Sequence, residues 1–364
     1  MSTKLKLENP EIFINRVTEK QYFLDYFNNI PRNILFVYGP KSTGKTTLIR
    51  KVIKENLDEK DFRINFINLR EYIITNFKDF RSLFFPKDLK QEIGETVRQI
   101  TTGAKFKFPG FEWDSRDINL MEKNIFGLMI KKIEELQEKG IKTVIVLDEF
   151  QYLKDIYMDE QKEVILINEL FKFFIALTKQ NNLAHVVCLT SDSYYMEELY
   201  GDTKLSNTSK FYLMEHLNKK DINYWLEDLE KIDKKIVEKI WKNLGGSVWE
   251  IWQVLVSYKN TGNYHNELND LLDTKYSLVY MLYDEDFSKL TKDQVKEFIK
   301  VIKIIVKKGY CLKSEIKVDF ELIKELVDKD IWFYDMKELK ITANSKSYEI
   351  AFGRLLKEIN KKIS

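Results

Sequence analysis

Apolar positions follow two different patterns over the first 217 residues of the chain. Continuous apolar runs of strand length occur at "NILFVYG" (33–39), "RINFINLR" (63–70), "TVIVLDEF" (143–150), "AHVVCLTS" (184–191) and "KFYLMEHL" (210–217). Such runs are typical of strands that are buried on both faces. Apolar residues at helical spacing predict helices over 11–30, 45–57, 119–139 and 161–180. The alternation predicts an α/β fold with a doubly wound parallel sheet.

The strand pattern stops after residue 217, and helical spacing replaces it. Asn218 has the spacing of a helix cap, and Gly245-Gly246 fits a helix end. From residue 291 the order helix, turn, helix and hairpin predicts a winged-helix domain. The segment 85–117 is irregular and predicts a hairpin or excursion at the sheet edge.

Composition narrows the class of protein. A chain of 364 residues predicts two or three domains. No apolar run reaches eighteen residues and the first ten residues contain no apolar signal core, which predicts a soluble cytoplasmic protein without a membrane partner. The 59 basic and 57 acidic residues nearly cancel, so overall charge does not call for nucleic acid. Cys188 and Cys311 lack metal-ligand spacing, and we expect no zinc site.

The loop "GPKSTGKT" (39–46) matches the phosphate-loop pattern G-x-x-x-x-G-K-[ST]. Glycines allow the backbone N–H groups to turn inward around phosphates, and the following helix points its positive end at the same anion. The pattern predicts that Lys45 reaches the β- and γ-phosphates of ATP and that Thr46 ligates Mg²⁺. The predicted nucleotide-binding residues of this segment are Gly39, Pro40, Lys41, Ser42, Thr43, Gly44, Lys45, Thr46 and Thr47.

Two further strand ends carry candidate catalytic residues. The run "TVIVLDEF" ends in adjacent acids, of which Asp148 is predicted to hold Mg²⁺ through water and Glu149 to orient and deprotonate the attacking water. The run "VVCLTSD" ends in Thr190 and Ser191, either of which is a candidate polar sensor beside the γ-phosphate.

These motifs, together with "FINRVTEKQYFLDYF" (13–27) and "LGGSVWEIWQVL" (244–255), resemble the archaeal ATPases of the AAA+ and signal-transduction (STAND) type. The resemblance covers most of residues 13–285. It implies an ATPase core over 1–217, a helical lid over 218–288 and a winged helix over 289–364. It also implies that Asn15 and Arg16 lie near the adenine and the edge of the nucleotide site.

The chain departs from this family pattern at two places. Such proteins often carry an arginine between the sensor strand and the last core strand, whereas 201–217 contains only Lys204 and Lys210 as cations. Because an arginine finger stabilises transition-state charge, we expect slow hydrolysis unless a partner supplies the group. The lid motif "GGSVWE" also lacks the usual proline, so the resemblance gives weaker support to nucleotide sensing by the lid.

Three functions are compatible with the sequence. The first is a nucleotide-driven switch that binds ATP or ADP and whose winged helix contacts a protein partner. The second is a DNA-associated AAA+ ATPase, and the third is a scaffold that keeps nucleotide for stability. Residues 291–364 hold seventeen basic and twelve acidic residues, a net charge of +5, and the presumed recognition helix is acidic. These charges favour a protein contact at least as much as a DNA contact.

Overall fold

The structure, a computed structural model, describes residues 16–84, 125–284, 288–316 and 318–363. The chain divides into two compact units, with boundaries after Phe23, Gly39, Val52 and Met214. We call Leu24–Gly39 with Ile53–Met214 the sheet unit, and the remainder the loop unit. The hairpin predicted within 85–117 lies outside the described residues.

Strands and helices alternate along the first part of the chain, as the sequence predicts. The strands are β1 (Ile34–Tyr38), β2 (Phe62–Asn68), β3 (Lys142–Asp148), β4 (Ala184–Thr190), β5 (Ser209–Leu213), β6 (Cys311–Leu312), β7 (Trp332–Asp335) and β8 (Lys340–Ala343). The described helices are α1 (Val17–Asn28), α2 (Lys45–Asn56), α3 (Phe77–Phe84), α4 (Ile125–Glu138), α5 (Leu166–Ile175), α6 (Ser193–Gly201), α7 (Thr203–Ser206), α8 (Lys219–Asn223), α9 (Lys234–Leu244), α10 (Val248–Thr261), α11 (His265–Tyr283), α12 (Lys292–Lys308), α13 (Phe320–Asp328) and α14 (Lys346–Ile363).

The sheet unit contains a five-stranded sheet in the order β2-β3-β4-β1-β5. Every neighbouring pair is parallel, so all five strands end at one edge. Strands β1 and β4 are buried along their whole length, and β3 is buried from its second residue. This burial on both faces explains their uninterrupted apolar runs and confirms the predicted parallel sheet.

Aromatic rings fill the core around the middle of β1. Phe36 stacks on Phe211 with ring centroids 5.2 Å apart and meets Phe150 and Phe171 at 5.6 Å. Phe36 belongs to β1 and Phe211 to β5, Phe150 follows β3 by two residues, and Phe171 belongs to α5. The contacts therefore connect three strands to one helix. Offset or edge-to-face packing of this kind adds to the burial of apolar area, so much of the chain's high aromatic content stabilises the sheet.

The first part of the loop unit after residue 215 is helical. The Asn218 side chain accepts a hydrogen bond from the Asp221 N–H at 3.0 Å, which confirms the predicted cap. Helix α9 ends at Gly245, which has a φ of 58°. A Cβ atom at Gly246 would lie 1.8 Å from the Leu217 carbonyl oxygen. The two glycines therefore differ in role: the first turns the chain, and the second lets two backbone segments touch.

The last part of the loop unit has the element order of a winged helix. Helix α12 leads through β6 and a 3₁₀ turn (Lys313–Glu315) to α13 and the hairpin β7–β8. The strands form an antiparallel sheet in the order β6-β8-β7. Two elements are absent from the sequence prediction: the two-residue strand β6 and the closing helix α14, which packs on α11 and α12.

Within the described residues, no helix is both long and apolar enough to cross a membrane.

A buried histidine in β4 generates a prediction about acid stability. His185 packs against the rings of Tyr26 and Phe27, and neither ring nitrogen has a hydrogen-bond partner within the described part of the chain. Burial, with a smaller contribution from Lys142, lowers the pKa of His185 to about 4. The folded protein therefore resists protonation, whereas the unfolded chain takes up the proton near pH 6.5.

Folding stability linked to His185 is thus present above pH 6.5 and is lost as the pH falls towards 4. We expect His185→Phe to reduce the loss of unfolding free energy between pH 7 and pH 4.5 by about 2 kcal/mol. Urea unfolding at both pH values measures this, with the exposed His265→Phe as the control. Equal pH dependence in all three proteins would contradict the assignment.

Candidate functional site

The phosphate-loop segment starts at a position where only glycine fits. A Cβ atom on Gly39 would lie 2.1 Å from the Met214 carbonyl oxygen. The Met214 N–H donates to the carbonyl of Tyr38, the last residue of β1, at 2.7 Å, which continues the pairing of β1 and β5 one residue past the end of β5. The first glycine of the motif is therefore required by close backbone packing within the sheet unit.

The remainder of the loop has the backbone of an anion-binding turn. Ser42 and Gly44 have positive φ values of 65° and 87°, and helix α2 begins at Lys45. Alternating left-handed residues turn successive N–H groups to one side of the chain, towards the positive end of the helix. The Lys45 ammonium is buried and donates to the Pro40 carbonyl at 3.0 Å and to the Thr43 hydroxyl at 3.4 Å. The predicted lysine thus lies inside the loop.

Arg16 fixes the backbone of the loop. Its guanidinium is buried, donates to the carbonyls of Thr43 and Glu215 at 2.8 Å each, and pairs with Glu19 at 2.7 Å. The planar fork of arginine presents its N–H donors in a fixed arrangement, whereas lysine is a point charge on a flexible stem. The resemblance implied that Arg16 lies near the edge of the nucleotide, and the structure places its side chain on the loop backbone. Asn15 lies outside the described residues.

The C-terminal domain contacts the loop at Lys41. The Lys41 N–H donates to the Asn344 side-chain oxygen at 3.2 Å, and its ammonium forms an ion pair with Asp330. Asn344 is buried, and its amide donates in turn to the Asp330 carbonyl at 2.8 Å. Both partners of Lys41 come from the winged helix, within the loop unit.

His216 completes a closed set of polar contacts. Its Nε2 lies 2.8 Å from the Asn344 carbonyl oxygen, so this nitrogen carries the proton and donates. Burial is the main cause that lowers the pKa of His216 to about 4; the hydrogen bond to the Asn344 carbonyl opposes this shift, and the nearby cations Lys45 and Arg16 contribute to it. Arg16 donates both to Thr43 of the loop and to the Glu215 carbonyl. The next residue, His216, donates to the Asn344 carbonyl, and the Asn344 side chain accepts from the Lys41 N–H of the loop. We call this set the polar ring: Lys41, Thr43, Arg16, Glu215, His216 and Asn344.

The acidic end of β3 has a second polar cluster, inside the sheet unit. Asp148 is buried, and Glu149 adopts the left-handed conformation with φ 59° and ψ 42°. The Glu149 carboxylate accepts from the Gln151 amide at 2.6 Å and from the Ser191 hydroxyl at 3.4 Å, and it pairs with Arg70 at 2.8 Å. The Thr190 hydroxyl donates to Gln151 at 2.7 Å. The two predicted sensor residues therefore meet Glu149, one directly and one through Gln151.

Two residues of this cluster are absent from the sequence prediction. Arg70 follows β2 by two residues, and Gln151 follows Glu149 by two. No local pattern in the sequence identifies them, because their positions follow from strand pairing: Asn68 at the end of β2 lies opposite Asp148 at the end of β3. Parallel neighbours deliver the residues after their ends to the same place.

The residue types fit ATP and Mg²⁺. A buried ammonium and a helix N-terminus favour phosphate, and the hydroxyl of Thr46 and the carboxylate of Asp148 are the hard oxygen donors that Mg²⁺ prefers. The described residues contain no group of three or more His, Cys, Asp or Glu that could hold a metal ion.

Comparison with known proteins decides the family. The sequence profile of a family described as an ATPase domain predominantly from Archaea matches residues 13–254. The chain belongs to this archaeal ATPase family. The resemblance predicted from the motifs is thereby confirmed, and the chain is an ATP-binding protein of the archaeal P-loop type.

Relatives of this archaeal ATPase align over nearly the whole chain. An ATP-binding protein of Methanocaldococcus jannaschii is 33% identical over 341 residues, which cover 93% of this chain and 98% of the relative. A second ATP-binding protein of the same organism is 34% identical over 355 residues, with the same two coverages. A solved Walker-type ATPase of Pyrococcus abyssi shares the fold, with a TM-score of 0.57 at 14% identity over 94% of this chain and 97% of that one.

Proposed function

We propose that this protein is a Mg²⁺-dependent ATPase of the STAND type, which acts as a nucleotide-driven switch and whose winged helix contacts a protein partner. The observation that supports the switch is the pairing of Lys41, a phosphate-loop residue, with Asp330 and Asn344 of the winged helix. The family match and the loop geometry support ATP as the ligand.

The loop residues from Gly39 to Thr47 bind the phosphates in this proposal. Lys45 neutralises charge on the β- and γ-phosphates, and the N–H groups at the start of α2 bind their oxygens. Thr46, and Asp148 through water, would hold Mg²⁺, which would neutralise phosphate charge. Arg16 acts as a positioning residue, because its hydrogen bond to the Thr43 carbonyl holds the loop in its binding conformation.

Glu149 is the proposed general base of hydrolysis. It orients a water molecule and accepts its proton while the water oxygen bonds to the γ-phosphorus. The bond from that phosphorus to the β–γ bridging oxygen breaks, and its electron pair leaves with ADP. The Ser191 hydroxyl donates to the Glu149 carboxylate directly, and the Thr190 hydroxyl contacts it through Gln151. These bonds connect the proposed base to the end of β4.

Charge competition at Lys41 supplies the switch. The ammonium of Lys41 is paired with one carboxylate of the winged helix, and a bound phosphate offers the same cation a more highly charged anion. A ligand shifts a conformational equilibrium only through such a difference in interaction between two states. If Lys41 leaves Asp330, Asn344 is the winged-helix residue that still contacts Lys41 and His216.

A second candidate function, a DNA-associated ATPase, is favoured by the charges on helix α12. Its exposed lysines other than Lys308 are Lys292, Lys296, Lys300, Lys303 and Lys307. At 3.6 residues per turn they fall within an arc of about 80° on one side of the helix. Like charges at such spacing destabilise a helix by about 0.2–0.5 kcal/mol per pair. Lys296 offsets part of this cost by pairing with Asp293 at 2.9 Å.

The lysine arc would bind the backbone of duplex DNA without reading its sequence. No aromatic residue lies within the arc to stack on single-stranded bases. Helix α13, which occupies the position of a recognition helix, has Glu321 and Asp328 exposed and Glu325 half-buried, and these acids repel phosphates. The switch remains the leading proposal, because it accounts for the contact of the winged helix with the loop.

Lys45→Ala tests the nucleotide site. Loss of a charge-assisted contact of about 1.5–3 kcal/mol should reduce ATP affinity tenfold or more. Calorimetric titration with Mg²⁺-ATP measures the affinity, and Lys54→Ala, which removes an exposed charge from the same helix, is the control. Equal affinities in both variants would exclude the loop as the phosphate site.

Asn344→Ala tests the coupling between the loop and the winged helix. We expect ATP to alter amide hydrogen exchange over residues 330–345 in the parent, and this response to shrink strongly in the variant because the Lys41 N–H loses its acceptor. Hydrogen-exchange mass spectrometry with and without ATP measures the response, with Asn360→Ala on the exposed side of α14 as the control. An unchanged ATP response in Asn344→Ala would contradict the switch.

Neutralising Lys300, Lys303 and Lys307 with glutamine tests the second candidate. Loss of three phosphate contacts should reduce the slope of log affinity against log salt for duplex DNA by about 2.7. Fluorescence anisotropy over a salt series measures this slope. The control replaces Lys234, Lys235 and Lys239, three exposed lysines of α9. If both triple variants keep the parent slope, the α12 lysines have no role in DNA binding.

A further inference from the structure

A groove lies between helix α9 and the start of helix α14, both in the loop unit. Its volume is about 820 Å³, which is enough for several amino-acid side chains. Trp241 of α9 forms part of the lining. Its ring is half-buried, because it packs on the hydrophobic core of the surrounding helices, and it gives the groove an apolar surface. None of the residues that line the groove belongs to the predicted nucleotide site.

The groove is formed where α14 begins beside the end of α9. A Cβ atom on Gly245, the residue that ends α9, would lie 3.0 Å from the Cβ atom of Lys346, the first residue of α14. The hydroxyls of Ser345 and Ser347 donate to the buried Glu250 carboxylate at 3.3 and 2.8 Å. These bonds anchor the chain on either side of Lys346, whose own side chain lines the groove.

Three lysines contribute positive charge to the groove. Lys239 and Lys242 are three residues apart and therefore lie on one face of α9, and Lys346 comes from α14. The Lys239 ammonium lies 5.8 Å from the centre of the Tyr264 ring. Within the described part of the chain, neither of the two α9 lysines forms an ion pair. Two of the three ammonium groups are thus available to an acidic ligand.

The position of Lys346 is unfavourable for a cation in the free protein. The N-terminus of a helix carries partial positive charge, and Lys346 is the first residue of α14. Glu349 pairs with Lys346 at 2.6 Å and offsets part of this cost. Glu238, an acid that also lines the groove, is neutralised by Lys219 at 2.8 Å. A bound anion would be attracted by all three lysines and by the start of α14.

Asn243 favours a peptide over a nucleic acid as the source of that negative charge. Its amide group donates to the Lys239 carbonyl at 2.7 Å, which leaves its side-chain oxygen as an acceptor in the lining. The backbone of DNA offers acceptor oxygens to a protein, whereas a peptide carries N–H donors between its side chains. The partly buried Trp241 ring also leaves little surface for a base to stack on.

We propose that this groove binds an acidic peptide segment of the protein partner, with carboxylates at Lys239, Lys242 and Lys346 and an apolar side chain on Trp241. The inference rests on the proposed switch and specifies the chemistry of its partner. Charge complementarity supplies the attraction, and the apolar surface of Trp241 selects acidic segments that also carry an apolar residue.

The polar ring connects this groove to the phosphate loop. Lys346 follows Asn344 by two residues, and the Asn344 side chain accepts from the Lys41 N–H. A change at Lys41 therefore reaches the start of α14 through one hydrogen bond and a short length of backbone. In the proposed switch, nucleotide binding at the loop would shift Lys346 and so change the affinity of the groove for the peptide.

A labelled synthetic peptide that alternates aspartate and leucine tests the groove. Fluorescence anisotropy measures its affinity for the full chain without nucleotide. Replacing Lys239, Lys242 and Lys346 with glutamine should weaken binding about tenfold or more, and added salt should weaken binding to the parent. A control variant with three exposed lysines outside the groove replaced by glutamine should bind as the parent does: Lys220, Lys234 and Lys357.

Equal affinities of the groove variant and the control variant would overturn the proposal. It would also be overturned if the parent bound the same peptide with asparagine in place of aspartate equally well. If duplex DNA binds the parent, loses affinity in the groove variant and the peptide does not bind, the groove is a nucleic-acid site and the proposal is wrong. The switch fails separately: peptide affinity that depends on the three lysines but is equal with ATP and with ADP would keep the groove and reject the switch.

Discussion

The parallel pairing of β1, β3 and β4 is the constraint on which the chemistry of this protein depends. Because these strands run in one direction, the residues that follow them leave the sheet at one edge. The loop motif follows β1, the acidic pair ends β3 and the two hydroxyl residues end β4. Burial of the strands on both faces fixes their register, so the positions of the functional residues follow from the packing of apolar ones. The same constraint brings Arg70 from the end of β2 to Glu149.

The loop unit adds a different principle, in which buried polar groups connect distant segments of the chain. Arg16, His216 and Asn344 each place a hydrogen-bonding group on a backbone carbonyl or N–H of another segment. Such a network is costly to leave half-satisfied, so its members tend to form or break together. This makes the polar ring suited to a two-state element. In the proposed switch, a local change at Lys41 would alter the environment of the winged helix directly, because the Lys41 N–H donates to Asn344.

The sequence predicts the fold well because its signals are local. Apolar runs locate all five strands of the parallel sheet to within a few residues, and the spacing of Asn218 and Asp221 gives a true helix cap. Helix α14 was missed even though its apolar side is buried. The strand β6 was missed because two residues carry no periodicity. Arg70 and Gln151 were missed for a different reason. Their roles arise from pairing between segments that lie far apart in the chain, which no local pattern records. The roles assigned to individual site residues stay predictions.

The backbone of Glu149 has a consequence for the evolution of the protein. A left-handed conformation costs a residue other than glycine about 1–2 kcal/mol, and glycine or asparagine would relieve most of that strain. Selection for stability alone would therefore favour replacing this acid. If Glu149 is the general base that we propose, its strained position is a place where the fold gives up stability for activity. Duplicates of this protein without the proposed ATP hydrolysis would then be expected to lose the acid early, and to become more stable when they do.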